Sequence, residues 1–215
     1  MSESRAEIFV YGAGGHAKVV IDIIEKQSKY SIAYLFDDDI ALKGKQIYGY
    51  SVAGDKSDLQ EIYKTTGVSR GIVAIGNNLT RLKIAAWLEE SGFSLINAVH
   101  PSSILGRGVI IGKGTVVMAG TVVNSDTSIG VNAIINTKAS IDHDCVLGEG
   151  VHMAPGSTLC GEVKIGSCTF VGAGATVIPC CTIGSDVTVG AGAVIVRDVP
   201  NGVTVVGVPA RIIEG

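Results

Sequence analysis

At 215 residues, 47% hydrophobic and 17% charged, the chain has room for one large or two small globular domains, either able to bury a core. A formal charge of -3 supplies no broad basic field for nucleic acid or anionic lipid, and no run reaches the roughly 18 apolar residues a bilayer span needs. Met1 to Glu7 lacks the basic start and apolar run of a secretory signal, and Cys145, Cys160, Cys168, Cys180 and Cys181 form no CxxC pair, so a cytoplasmic protein with free thiols and no metal site is expected.

Residues 1–100 alternate short apolar runs with helix-like segments. Glu7 to Tyr11 reads as a strand, His16 to Lys29 as a helix, Ile32 to Phe36 as a strand and Ser57 to Thr66 as a helix. Gly71 to Ile75 is a third strand, Leu79 to Ser91 a third helix and Ser94 to Val99 a last strand. Such alternation predicts a Rossmann-like parallel sheet with helices packed on it, too short for a two-lobed dinucleotide fold. Trp87, on the third helix, is expected in its core.

Between the first strand and first helix lies Gly12-Ala13-Gly14-Gly15-His16-Ala17. Its amides and the helix N-terminus can cradle a phosphate, and Asp37, some twenty residues on, can bond a ribose hydroxyl. An NAD site is the rival reading; Ala17 in place of the third glycine and the shortness of this half weigh against it. Gly76-Asn77-Asn78 and Arg81, after the third strand, can complete the pocket, although Asn78 fits a helix cap equally well.

From Ser103 the pattern changes. Every sixth residue from Leu105 to Ile195 is aliphatic, sixteen in succession, and the residue four places after each is small or short and branched, from Val109 to Val199. Glycine follows the aliphatic residue in half of these hexads, as at Gly106, Gly148 and Gly190. With 29 glycines and only 5% aromatics, the core must be built from small and β-branched side chains near backbone. A period of six fits a strand, a corner and a restart, three units to a triangular coil, so residues 101–215 are expected to wind about five coils of parallel β-helix. The aliphatic residues are expected inward at corners, and chemistry on the outer faces.

On the outer face, His143 stands between Asp142 and Asp144, whose carboxylates favour imidazolium and strengthen it as a base. Spacing alone fits an exposed histidine in an acidic turn equally well. Cys145 and Cys181 fill small fourth-place slots, and no cysteine has a histidine at the spacing of a thiol nucleophile. Lys138, five places before His143, can aid a substrate phosphate but reads better as a solvated wall residue.

The hexads, the run Asn136-Thr137-Lys138-Ala139-Ser140-Ile141-Asp142-His143-Asp144-Cys145, His152 and the ending Gly207-Val208-Pro209-Ala210-Arg211 resemble the left-handed β-helix acyltransferases. Within them the chain is most similar to the bacterial branch that N-acetylates nucleotide-linked 4-amino sugars, related to sialic-acid O-acetyltransferases. That branch also carries a small α/β domain beginning with a Tyr-Gly-Ala-Gly-Gly-His-type turn, so the likeness covers nearly the whole chain. The resemblance implies left-handed coils, acetyl-CoA as co-substrate and a nucleotide-linked amino sugar, UDP-linked by expectation, as acceptor.

It further implies His143 as general base with Asp144 raising its basicity, His152 touching acetyl-CoA, Gly161 meeting the thioester with its amide, and Ala173 and Ala191 lining the cofactor groove. Arg211 falls where a basic residue meets the CoA phosphates. Ala13, Gly14, Gly15 and His16 would hold the diphosphate, Asp37 or Asp38 the nucleoside, with Gly76 and Asn77 beside them. His152 follows His143 by nine residues, half an eighteen-residue coil, so the pair would meet only across a subunit boundary; the trimer of the family, with sites between neighbours, provides one. Sugar O-acetylation and a noncatalytic nucleotide-sugar-binding protein are the alternatives.

Overall fold

The computed structural model describes residues 5–213; Met1 to Ser4, part of the stretch searched for a secretory signal, lie outside the described residues. The chain divides into two compact units, Met1–Pro101 and Ser102–Gly215.

The first unit comprises β1 (Ala6–Tyr11), α1 (Gly15–Gln27), β2 (Tyr30–Phe36), β3 (Gln46–Ile47), β4 (Tyr50–Gly54), α2 (Lys56–Thr66), β5 (Arg70–Val73), α3 (Asn78–Glu90) and β6 (Ser94–Leu95). The sheet order is β3-β4-β2-β1-β5-β6, parallel except for the β3–β4 hairpin. That hairpin was not expected, because Tyr50-Ser51-Val52-Ala53-Gly54 has no aliphatic run and buries only Val52 and Gly54. The last expected strand is interrupted, leaving Ser94–Leu95 and Ala98–Val99.

Local chemistry fixes the helix ends. Asp55 caps α2 in a reciprocal box with Asp58, Gly67 ends it at φ 73°, and Asn77 caps α3 by accepting from the Thr80 amide. The Asn77 cap corrects the alternative that placed the cap at Asn78. The core centres on Phe9, whose ring meets Phe36 and Phe93 edge to face at centroid separations of 6.0 and 5.3 Å. Trp87 is only half-buried and packs on the rim of this cluster, with the Lys56 ammonium 5.4 Å above its ring.

The second unit is a left-handed parallel β-helix of two-residue strands. Its first wall stacks Leu105, Val123, Ile141, Leu159, Val177 and Ile195; its second, Ile111, Ile129, Leu147, Ile165 and Ile183. Its third stacks Val117, Ile135, Met153, Val171, Val189 and Val205, then closes with Arg211–Ile213 antiparallel to Thr204–Val206. The rungs are offset by eighteen residues except Val189–Val205 and the isolated bridge Ile183–Val199, each offset by sixteen. From Val117 onward each of the periodic aliphatic residues is buried; Leu105 and Ile111, in the first coil, are not fully covered. Burying each such side chain stabilises the prism by roughly 1.5–3 kcal/mol.

One detail differs from the expected geometry. The aliphatic residues occupy the flat walls, where the second residue of each strand points inward, and the corners fall three places later. There every residue from Gly108 to Gly192 is left-handed, at φ 54–77°, including Lys138, Asp144, Glu162, Cys168 and Cys180. The fourth-place residues from Thr115 to Val199 are buried as expected, and buried threonines among them also stitch coils together. Thr127 Oγ1, for instance, donates to the Asp142 carbonyl at 2.8 Å and accepts from the Cys145 amide at 3.1 Å. Glycine after the wall residue lets coils approach: a Cβ on Gly148 would lie 2.7 Å from the Ser167 nitrogen.

Candidate active site

The corner between the first and second walls carries His143. Asp142, one place earlier, accepts the His143 amide at 2.9 Å and the Asn124 side-chain amide at 2.9 Å, both on Oδ1. Asn124 sits eighteen residues earlier, one coil away in the same column, and these bonds hold the Asp142 carboxyl below its usual range, the Asn124 bond first. Thr127 fixes the Asp142 carbonyl from inside the prism. His143 is thereby set on a turn held from both sides.

Asp144, the left-handed corner residue, brings Oδ2 to 2.8 Å from His143 Nδ1. An ionised carboxylate can only accept, so Nδ1 carries the hydrogen and Nε2 is left with its lone pair. The Asp144 bond, followed by the charge of Asp142, raises the His143 pKa above that of free imidazole. The ring remains about half exposed, at 54% of its side-chain area, so substrate can reach it. Its Cε1 and Nε2 edge lies over Gly161 in the next coil, where a Cβ would come within 2.7 Å of both atoms. The Gly161 carbonyl accepts from Cys180, and its amide takes no part in the ladder joining coils. A groove lined by Asp144, Glu162, Lys164, Cys180 and Thr182 runs beside this corner.

His152 lies elsewhere, on the third wall, opposite the His143 corner. Its ring stands edge to face on Phe170 at 5.1 Å, and its Nε2 is 3.3 Å from Asn136 Nδ2. Ala173 and Ala191 are exposed turn residues of successive coils between the third and first walls. Arg211 donates to the Ala210 carbonyl at 2.8 Å and borders a cavity of about 280 Å³ that Arg197, Asp198 and Pro200 also line. A single prism thus brings Gly161 to His143 but keeps His152 on a different side.

In the first unit the turn after β1, the end of β2 and the loop after β5 converge at the carboxyl edge of adjacent parallel strands, the usual ligand crevice of such sheets. Gly12 is at φ 112°, with a would-be Cβ 2.7 Å from the Ala74 carbonyl oxygen, so the turn can close only on glycine. Gly14, which precedes α1, Gly15 and Gly76 face open space instead. The Ala13 amide donates to Asp37 Oδ2 at 2.7 Å and the Asp39 amide to Asp37 Oδ1 at 2.9 Å, so Asp37 braces the loop. Asp38 accepts from the Tyr11 hydroxyl and lies 3.3 Å from Lys56 Nζ. His16 is half-buried in the first turn of α1.

Two expectations change. Arg81 is completely buried and donates to the carbonyls of Ile75 and Gly76 at 3.1 and 3.0 Å and to Asn78 Oδ1 at 2.9 Å, so it builds the loop and presents no charge to a ligand. Asn77 spends its side-chain oxygen on the helix cap. Asn124 and Asn136 escaped individual notice in the sequence; offsets of eighteen and sixteen residues from Asp142 and His152 are the signal that finds them. None of the five cysteines is in a disulfide, and burial pushes the Cys145 and Cys181 thiols up, away from thiolate chemistry. Among the described residues no cluster suits a metal ion and no helix is long and apolar enough to cross a membrane.

Comparison with known proteins shows what the chain is similar to. Residues 7–88 match the PglD N-terminal domain, and residues 162–197 match the bacterial transferase hexapeptide of six repeats. GDP-perosamine N-acetyltransferase of Escherichia coli is 31% identical over 160 residues, 73% of this chain and 71% of that protein. The crystal structure of PerB from Caulobacter crescentus, in complex with CoA and GDP-perosamine, superposes with a TM-score of 0.92 at 45% identity over 97% of both chains. The acetyltransferase domain of PglB from Neisseria gonorrhoeae, in complex with acetyl coenzyme A, gives 0.88 at 36% identity over 98% of this chain and all of that one.

Proposed function

The chain belongs to the hexapeptide-repeat nucleotide-sugar N-acetyltransferases, which use acetyl-CoA, and from that premise we propose that it acetylates the C4 amine of a GDP-linked 4-amino-4,6-dideoxy sugar. The enzyme class excludes the noncatalytic alternative, and N-acetylation stands as expected over the alternative of O-acetylation. GDP displaces the expected UDP because structures of 44–45% identity over 97% of this chain hold GDP-perosamine, whereas the UDP-N-acetylbacillosamine N-acetyltransferase of Bacillus subtilis is 36% identical over 105 residues, 48% of this chain. The acceptor serves surface glycan or glycoprotein assembly, and both co-substrates belong to the cytoplasm, where we place the enzyme.

The observation that carries the mechanism is the His143–Asp144 pair over Gly161. Asp144 holds Nδ1–H, and Nε2 accepts the amine proton as nitrogen forms its bond to the thioester carbonyl carbon. The Gly161 amide donates to the developing oxyanion. When the tetrahedral centre collapses, the C–S bond breaks and His143 returns its proton to the departing thiolate. No residue of the chain becomes acylated.

His152, Ala173, Ala191 and Arg211 are assigned to acetyl-CoA. Since His143 and His152 lie on opposite sides of one prism, the reading requires a second copy: a homotrimer of side-by-side prisms, with each site in a cleft between neighbours. Ala13, Gly14, Gly15 and His16 receive the diphosphate, Asp38 and the braced Asp37 face the nucleoside, and Gly76 and Asn77 close the crevice. The test is an acceptor screen over GDP-, UDP- and dTDP-linked 4-amino sugars with acetyl-CoA, products read by mass. Acetylation of the GDP-linked sugar at C4 is expected, together with a trimer by light scattering. A UDP-linked preference overturns the choice of base; a monomer of full activity overturns the shared site.

A further inference from the structure

In half of the hexads the residue after the inward wall residue is glycine, but on the first wall two successive coils place Asn124 and Asp142 there. Val123 pairs with Ile141, so the two side chains stack one coil apart, and Asn124 Nδ2 donates to Asp142 Oδ1 at 2.9 Å. The same oxygen accepts the His143 amide at 2.9 Å, a local bond from backbone to side chain. Asp142 thus has one oxygen pinned by two donors, while Thr127 takes its carbonyl. On the other side of His143, Asp144 has its amide on the Ser125 carbonyl at 3.1 Å and its carboxylate on the ring. Two carboxylates therefore stand one residue from the same imidazole, and the ring bond goes to Asp144.

We propose that Asn124 is a positioning residue: by pinning Asp142 against the His143 backbone it keeps that carboxylate off the imidazole, so Asp144 alone takes a ring hydrogen and Nε2 stays open to the acceptor amine. Released from Asn124, an aspartate of this reach would turn toward the ring. Asp144 already holds Nδ1–H, so the newcomer would meet the Nε2 edge and accept Nε2–H of the imidazolium. That bond covers the nitrogen that must receive the amine proton and favours its protonated state. The charges of Asp142, Asp144 and Glu162 of the next coil act on the ring from where they stand, and Asp126 occupies the matching corner of the coil before. What Asn124 controls is the direction of one of them. The role of the amine rests on the acetyl-transfer reading; the pinning does not.

Asn124 is exposed, so removing its amide leaves the core of the prism intact. The test is a cycle of Asn124→Leu, Asp142→Asn and the double variant in the full-length protein. The His143 titration is followed by NMR of 15N-labelled histidine, its signals being those lost in His143→Asn, beside the pH profile of acetyl transfer. In Asn124→Leu the freed Asp142 stays ionised wherever imidazole titrates, so the His143 pKa and the acid limb of kcat/KM should rise by about half a pH unit. The plateau kcat should fall roughly tenfold, the effect of one misplaced hydrogen bond, with KM for both substrates near wild type. Asp142→Asn alone should lower the His143 pKa, since a negative charge is lost. In the double variant no carboxylate is left to release, and Asn124→Leu should add no rise. An unmoved or lowered His143 pKa in Asn124→Leu, or an equal rise in both backgrounds, overturns the pinning. A raised pKa with wild-type kcat overturns its bearing on Nε2. Wild-type protein that acetylates no amine overturns the acetyl-transfer reading alone, and the NMR titration still decides the pinning.

Discussion

The imidazole of His143 lies against the Cα of Gly161, so close that a Cβ there would stand 2.7 Å from both Cε1 and Nε2. Gly161 is not among the residues of positive φ, so alanine suits its backbone. Gly161→Ala should therefore fold and melt like the wild type while pushing the ring aside. A displacement near 1 Å at a reacting group lowers rate by about a hundredfold. Steady-state kinetics beside a thermal melt separates the two effects: wild-type kcat/KM would mean the ring has room elsewhere to work.

The Asp144 bond gives His143 a pH signature. A general base must be unprotonated, so kcat/KM should fall as pH drops through the raised His143 pKa, at higher pH than for free imidazole. Asp144→Asn still accepts Nδ1–H but carries no charge. Its acid limb should move to lower pH and its plateau should fall about tenfold. Both side chains are more than half exposed, at 54% and 59%, so the displacement should shrink as salt is raised. An unmoved limb would show that another group titrates.

The β-helix was legible because burial repeats: one aliphatic side chain per wall, sixteen times, is a pattern no other packing satisfies. His143 was legible too, being flanked by two carboxylates. Asn124 and Asn136 were not, since each acts on a residue sixteen to eighteen places away, and that neighbourhood exists only once the coil pitch is known. Arg81 misled for the opposite reason. An arginine after the third strand suggests a residue that completes the pocket, but its buried guanidinium donates to three acceptors inside the fold. Asn77 was expected beside the nucleotide, yet its side-chain oxygen caps α3.

Lys138 occupies a corner at φ 58°, in a column whose other corners are Gly120, Gly156, Gly174 and Gly192. Left-handed backbone costs a side-chain-bearing residue roughly 1–2 kcal/mol, and glycine loses about 0.5–1 kcal/mol more entropy on folding. Lys138→Gly should leave a net gain of about 0.5–1 kcal/mol, a rise of roughly 1–3 °C in Tm, with activity unchanged. A lower Tm would indicate that the lysine stem contributes packing along this edge.

Arg81 offers a way to disturb the crevice of the first unit without touching the prism. Arg81→Met fits the volume but supplies no donor, stranding the Ile75 and Gly76 carbonyls and Asn78 Oδ1; the loss should be about 3–5 kcal/mol, since unmade buried bonds to a charged group are costly. The loop carrying Gly76 and Asn77 should then lose its shape. KM for the sugar nucleotide should rise at least tenfold, while affinity for acetyl-CoA, measured calorimetrically, stays near wild type. Arg81→Lys, with one compact ammonium for three acceptors, should fall between the two. If Arg81→Met binds the sugar nucleotide normally, the loop after β5 is not part of that crevice.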